Sequence, residues 1–564
     1  MSTNHPTNRK ARADFPPYFQ SCYNFSLMSA LWTSPLGPVG LLLGGGTLLL
    51  MLQRRISDRL RQILPVALLL AGMASWLLLR LQPQGAGQWW AWQAPLGLET
   101  ALGVQWDNWA WLAGWLLFML ALSALILPEW LTRAGFTPPA FWVPFLLAAS
   151  LLVITAATWS TLLTAWTLML FFTGILAGTP SQNAARAWTF LLLSGFFLLT
   201  TPLFNGAGSL LATLDSDALN LQAQLLLILA IAIPLGVYPF HIWLTPGASR
   251  PRGRQMALHL LPGLAALHLL SRFQLPLLGS FSWVTLGIAG LLGSAIAAWL
   301  AENAHNAWVY VIINRVTWVM LALSLSRETG LRQMLFALPT LAIAGIIWSL
   351  ISNPSPSHKM RWLALFFLLG FPFTTGFPLN LNLAQLATTV LGFPGWVLVL
   401  LAQTILIAAV LRPAVSQPKP ETPKSYLPAK RLNWMLALTV IFGLWWGIFP
   451  AALARTAGLT PHGIYASVLT QIRTAGLLTG WLTLLLPLLL GWLLARWRQR
   501  IFAGLEAWQS RIGAVAGLGW LDSLLAAGFH YLSLSFGFAA DILDGAGQFG
   551  WVLLALLILW LFLR

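Results

Sequence analysis

Apolar stretches of about 20 residues, the length that carries a helix across a bilayer, recur along almost the whole of this chain. They fall near 35–52, 64–80, 108–127, 140–158, 160–177, 188–204, 223–245, 256–273, 281–300, 307–325, 333–351, 362–391 (with a break), 394–411, 433–451, 475–495 and 546–563, sixteen in all. Only 8% of the 564 residues are charged, against about 25% in a soluble domain. The pattern predicts an all-α polytopic membrane protein of about 14–16 transmembrane helices. The length does not translate into a domain count, because one helical bundle holds every span.

Charge and cysteine usage narrow the classes further. The formal net charge is +17, which in a soluble protein would suggest nucleic acid. Here the basic residues sit mostly in short loops between spans. Arg54, Arg55, Arg59, Arg61, Arg133, Arg186, Arg250, Arg252, Arg254, Lys359, Arg361, Arg412, Lys419, Lys424, Lys430, Arg431, Arg496, Arg498, Arg500 and Arg511 all follow odd-numbered spans. The side richer in lysine and arginine is cytoplasmic, so both termini are expected outside, in a prokaryotic inner membrane. No nucleic-acid partner is expected. The single cysteine, Cys22, excludes a disulfide framework and a cysteine metal site. No cleavable leader is expected at the start of the chain. Frequent tryptophan, 32 in all, reads as interfacial belts and helix packing.

One span carries the local chemistry. Residues 231–254, IAIPLGVYPFHIWLTPGASRPRGR, begin as a membrane helix and are then interrupted by Pro234, Gly236 and Pro239 around His241 and Trp243. Proline removes a backbone donor, and broken backbone at membrane depth survives where protein or a wet cavity surrounds it. The break is either a transport-type site or a proline-kinked structural helix. Further along, Ile501, Leu505, Trp508, Ile512 and Val515 recur at near-helical spacing among Arg500, Glu506 and Arg511. That predicts an amphipathic helix along the membrane surface, or else an ordinary cytoplasmic helical loop.

Several stretches together resemble a known family. They are Pro239-Phe240-His241-Ile242-Trp243-Leu244, Leu269-Leu270-Ser271-Arg272-Phe273, Gly370-Phe371-Pro372-Phe373-Thr374-Thr375-Gly376-Phe377, Leu444-Trp445-Trp446-Gly447-Ile448-Phe449-Pro450 and Ile542-Leu543-Asp544-Gly545. Their order and spacing resemble the antiporter-like, proton-conducting subunits of respiratory complex I, with relatives in Mrp antiporters and membrane-bound hydrogenases. The resemblance implies two inverted five-helix repeats, each with one broken helix. It divides the chain into an N-terminal tail (1–34), three first spans (35–138), a first repeat (139–273), a second repeat (274–413), a cytoplasmic linker (414–432), C-terminal spans (433–495), a lateral amphipathic segment (496–545) and a terminal span (546–564). The breaks fall at Gly236 and Pro239 in one repeat and at Pro372 and Gly376 in the other.

The same resemblance implies a row of ionisable residues that this chain lacks. The glutamate that follows a tryptophan in the fifth span falls on Thr167. The lysines of the seventh and eighth spans fall on Pro234 and Leu264, the lysine entering the tenth falls near His305, a histidine further on falls near Arg315, and the lysine or glutamate of the twelfth falls on Asn380. Independently of any family, no acidic residue and no lysine lies in the middle of a proposed span. A proton relay needs groups that change charge near neutral pH, which leaves His241, His259 and His268 as the in-span candidates. Arg315, about 10 Å into its span, keeps its proton. It binds an anion, a lipid headgroup or an acid on a neighbouring subunit, or it faces a wet cavity or snorkels.

Other patterns carry no site. Gly545 to Gly550 matches GxGxxG with no strand before it. Gly44-Gly45-Gly46 suits close helix packing, and His259 and His268 do not share metal-ligand spacing. No metal and no cofactor are expected, and no catalytic residues within the chain. The expected function is a membrane-arm subunit of a complex I-type assembly, structural or weakly conducting, with other membrane subunits and lipids as partners. The alternative is an active proton or cation carrier working through a rewired histidine and water path.

Overall fold

The structure is a computed structural model. It describes residues 34–93 apart from 83, 99–126, 139–178, 182–205, 214, 219–244, 252–273, 275–301, 304–325, 330–351, 366–415 apart from 368, 429–459, 477–502, 506–518 and scattered positions from 520 to 534. The N-terminal tail, most of the linker 414–432, the terminal span 546–564 and the GxGxxG-like stretch lie outside the described residues, as does the side chain of His305.

The protein is an all-α multi-pass membrane protein with one small β-hairpin. In chain order the main elements are α1 (Leu36–Leu52), α2 (Asp58–Leu78), β1 (Gly85–Gln93), β2 (Glu99–Trp106), α3 (Asn108–Ile126), α4 (Trp142–Thr155), α5 (Trp159–Ala177), α6 (Gln182–Phe204) and α7 (Leu221–Leu235). They continue with α8 (Arg252–Leu270), α9 (Phe281–Leu300), α10 (Ala304–Leu325), α11 (Gly330–Ile351), α12 (Gly376–Val415), α13 (Ala429–Ile448), α14 (Pro450–Thr456), α15 (Thr483–Phe502) and α16 (Glu506–Ala516). Among the described residues, eight helices are long and apolar enough to cross a membrane, and Leu36–Leu52, Trp142–Thr155, Ala307–Leu321 and Met334–Ile347 are shorter apolar helices.

The hairpin is the element that the span pattern does not predict. Gly85–Gln93 pairs antiparallel with Glu99–Trp106, with an irregularity between Gln88 and Trp90. The signal was present: aromatic, β-prone residues (Trp89, Trp90, Trp92) precede Pro95 and Gly97, which are turn formers. Val104 at its end bridges to Ala156, so the strand is tied to the start of α5.

Two compact units divide the residues. The first holds 1–234, 251–274 and 449–465. Its centre is α4, buried on nearly every face from Val143 to Thr155, as expected of a helix that is apolar all round. It packs against α1, α3, α5 and α8. Small residues let neighbouring helices approach closely: a side chain at Gly46 of α1 would strike Phe145 of α4, one at Gly114 of α3 would strike Trp76 of α2, and one at Gly174 of α5 would strike Trp188 of α6. The second unit holds 235–250, 275–448 and 466–564. Its centre is α10, with Val309 to Leu321 buried apart from Tyr310, against α9, α11 and α12. α15 packs along α12, and α16 packs on α9.

Long helix α12 contains one non-helical residue, Gly392, at φ 68° and ψ −162°. The sequence pattern parts two spans at that position. On α16, Trp508, Ile512 and Val515 are exposed and Ala516 is buried, as is Leu518 just beyond the helix. The apolar repeat of the sequence lies on a helix, and Trp508, Ile512 and Val515 form an outward apolar stripe.

Candidate functional site

The first break follows α7. Gly236 takes φ 70°, a left-handed conformation that glycine adopts without a Cβ penalty. Pro239 has no N–H with which to continue the ladder. The chain re-forms as a short 3₁₀ turn, Phe240–Leu244, that buries His241, Ile242, Trp243 and Leu244. The loosened backbone is held by α10: the Tyr238 N–H donates to Thr317 Oγ1 at 3.2 Å. Tyr238 fits against Gly290 and Gly293 of α9: an added Cβ at Gly293 would overlap the Tyr238 ring, and one at Gly290 would overlap Thr317 and press on Tyr238. The His241 ring lies face to face with Tyr238, 4.9 Å between centroids at 17°, and edge-on to Tyr310 at 5.8 Å. Tyr238 Oη then donates to the Ala516 carbonyl of α16 at 3.1 Å. His241 therefore sits in an aromatic sandwich.

The second break precedes α12 and is filled in another way. Gly370 takes φ 67°, and a side chain at Gly376 would lie 3.0 Å from its Cα. Two carbonyls left without helical partners, those of Leu369 and Gly370, are capped by Asn380 Nδ2 at 3.1 and 2.8 Å. Thr374 Oγ1 donates to the Phe371 carbonyl at 2.6 Å. Asn380 Oδ1 accepts a long bond from Gln403 Nε2 at 3.4 Å, and Gln403 Oε1 accepts from Arg315 Nη2 at 3.0 Å. A cavity of about 30 Å³ borders this chain of groups, lined by Gly370, Asn380, Gln403 and Thr483 among apolar residues.

Arg315 is wholly buried, at 0% exposure, so it neither snorkels nor faces bulk water. Its guanidinium stands 5.0 Å from the Trp318 ring centroid, one turn along the same helix. Its Nε and Nη1, and the indole Nε1 of Trp318, find no hydrogen-bond acceptor among the described residues. An uncompensated buried charge is costly, by several kcal/mol even after relaxation, roughly.

The remaining predicted positions lie apart from this network. His259 and His268 are buried in α8, nine residues and so roughly 13 Å apart along the axis. The His268 ring stacks on Trp109, 5.9 Å between centroids. Trp109 Nε1 donates to Ser271 Oγ, which donates to the His268 carbonyl. Arg272 at the end of α8 donates to the Ala156 carbonyl and to Gln105 Oε1 of the hairpin, a role in holding structure. Leu264 and Pro234 are buried and apolar. Thr167 is exposed, its hydroxyl turned back to the Leu163 carbonyl at 2.8 Å. The interior polar contact at that level belongs to its neighbour: Trp166 Nε1 donates to Ser194 Oγ, which donates to the Ala230 carbonyl. Among the described residues no group of three or more His, Cys, Asp or Glu is placed to hold a metal.

Gln403, Trp318, Thr317, Tyr238 and Tyr310 are the residues that the sequence did not single out. Gln403 carried a usable signal, a lone amide in an apolar run (Val397 to Ile407) at membrane depth.

No protein-family model matches the chain, and no curated protein matches it by sequence. Solved structures do match its fold. A chain of the Mrp complex from Dietzia sp. DQ12-45-1b aligns with a TM-score of 0.72 at 16% identity, covering 93% of this chain. This chain spans 62% of the length of that one. A chain of the membrane-bound sulfane sulfur reductase, an archaeal respiratory membrane complex, aligns at 0.66 with 15% identity, over 94% of this chain and 100% of that one. A chain of respiratory complex I from Thermus thermophilus aligns at 0.59 with 19% identity, over 74% of this chain and 98% of that one. The protein shares its fold with membrane chains of these three assemblies.

Proposed function

We propose that this protein is a membrane-arm subunit of a multi-subunit, complex I-type assembly, and that it is structural or weakly conducting. One observation carries the second half: the polar connection at the second break runs Arg315–Gln403–Asn380, and none of its members exchanges a proton near neutral pH. A side-chain amide has no titrating proton, and arginine keeps its own. Asn380 stands where the sequence resemblance implies a lysine or glutamate. Among the described residues Arg315 is the one charged side chain in the middle of a span. His241 is packed between two tyrosine rings, which favours a structural role for the first break as well. In this reading the protein lies in a prokaryotic inner membrane with both termini outside, beside other membrane subunits and lipids. It serves an oxidoreductase or antiporter complex without holding a catalytic centre.

The test is proton flux. The purified assembly is placed in liposomes under an imposed potassium diffusion potential, and uptake is followed with a pH-sensitive dye. The expected result is uptake at most slightly above that of liposomes lacking the protein. Uptake that disappears in His241→Ala would overturn the reading in favour of a rewired histidine path. The exposed stripe Trp508, Ile512 and Val515 is proposed to lie against the flank of a neighbouring subunit. A photo-crosslinker at position 508 should capture protein; capture of lipid alone would sink that assignment.

A further inference from the structure

We propose that the cluster of Arg315, Gln403 and Asn380 is a binding site for one small monovalent anion of the halide class. The argument begins with charge. The Arg315 guanidinium is fully enclosed by the protein, and no carboxylate pairs with it among the described residues. Neither a neutral amide nor an aromatic face cancels a full positive charge in a medium of low dielectric. The same enclosure removes two candidates that the sequence left open. Neither a carboxylate on another subunit nor a lipid headgroup can reach a side chain with no accessible surface.

Donor chemistry and size then fix the class. Arg315 Nε, Arg315 Nη1 and Trp318 Nε1 are buried N–H donors, all on one face of α10, with no acceptor among the described residues. Gln403 spends its carbonyl on Arg315 and one amide N–H on Asn380, which leaves its second N–H to donate. The adjoining cavity, about 30 Å³ and lined by Asn380, Gln403 and Thr483, has room for roughly one or two water-sized species. Arg315 and Trp318 do not line this cavity; Gln403, which accepts from Arg315, joins it to the guanidinium, and an ion-sized space next to a buried cation without a carboxylate partner selects a halide over a phosphate or a cation. Asn380 links the site to the second break through the Leu369 and Gly370 carbonyls, so the bound ion stabilises the non-helical turn. The assignment stands whether or not the chain conducts protons.

The full-length protein, purified in detergent in gluconate buffer, is titrated with sodium chloride and with sodium bromide while its thermal unfolding is followed. Binding of radioactive chloride is counted in parallel. The expected result is one saturable site per chain and a saturable rise in Tm with either halide. Arg315→Gln should lower halide affinity by at least about tenfold, since it removes the only full positive charge in the site. If that variant does not fold, Gln403→Glu decides the matter. It places a carboxylate of nearly the same shape against Arg315, so it should fold in gluconate and lose the halide dependence. Three outcomes overturn the proposal: no saturable halide binding, a Tm that rises equally with gluconate, or halide binding that survives in both variants. Flux in liposomes is a separate readout, so a conducting protein with an intact halide site would refute the functional reading and leave this one standing.

Discussion

The two helix breaks meet one problem, unpaired backbone groups at membrane depth, with different materials. After α7 a threonine hydroxyl accepts from the broken backbone, and rings wall it: Tyr238 and Tyr310 around His241, with glycines of α9 clearing the space. Before α12 the carbonyls are capped by an amide that belongs to a polar series ending at a buried arginine. Ring packing is prominent at the first break, and a connected set of side-chain hydrogen bonds at the second. Shape tolerates the loss of a polar group if volume is kept, whereas removing one partner from a buried hydrogen-bonded set leaves the others unsatisfied. The second break should therefore be the more fragile to polar substitution.

The largest expected effect comes from steric intrusion at the second break. Gly447 of α13 abuts the backbone of Phe373 and Thr374, and an added Cβ would lie 2.0 Å from the Phe373 carbonyl oxygen. Backbone cannot swing aside as a side chain can, so Gly447→Ala should cost about 3 kcal/mol, visible as a lower unfolding midpoint in detergent. A change under about 0.5 kcal/mol would mean that α13 does not press on the break. Next is Asn380→Leu, which keeps the volume and removes the cap. Two buried carbonyls and Gln403 lose a partner, and the expected loss is about 2–3 kcal/mol by the same measurement. If Asn380→Leu is neutral, the contrast between the breaks collapses. The smallest is Tyr238→Phe, which keeps the ring stack on His241 and removes only the hydroxyl bond to Ala516. Its cost should be about 1 kcal/mol, appearing as faster amide exchange confined to Glu506–Ala516. Loss of global stability comparable to Asn380→Leu would show that the first break is held by polar contacts after all.

Much of this architecture was legible in the chain. Spans showed as long apolar runs because lipid leaves a backbone no other option than internal pairing. Both breaks showed because proline and glycine are where a helical ladder fails. Gly392 was visible as a gap between spans, and α16 as a repeat of apolar residues at helical spacing. Site residues were harder. The resemblance set Thr167 on the row of ionisable positions because it follows Trp166, yet successive residues on a helix point about 100° apart, and here it is Trp166 that faces inward. The hairpin was missed because a scan tuned to twenty-residue runs passes over two strands of nine and eight residues.

The sequence alone determined that this protein lives in a membrane as helices, where those helices break, and that lysines and carboxylates stay out of its spans. These follow from local rules: a run of apolar side chains, a missing N–H and the composition of a segment act on their own stretch of chain. Only the tertiary structure decided that Arg315, Gln403 and Asn380 form one connected set, that His241 lies between Tyr238 and Tyr310, and that Thr167 faces outward. Those partners are up to 88 residues apart in the chain. The side on which a helix presents each residue, and the residue it meets there, is set by how helices pack against one another, which no single span encodes.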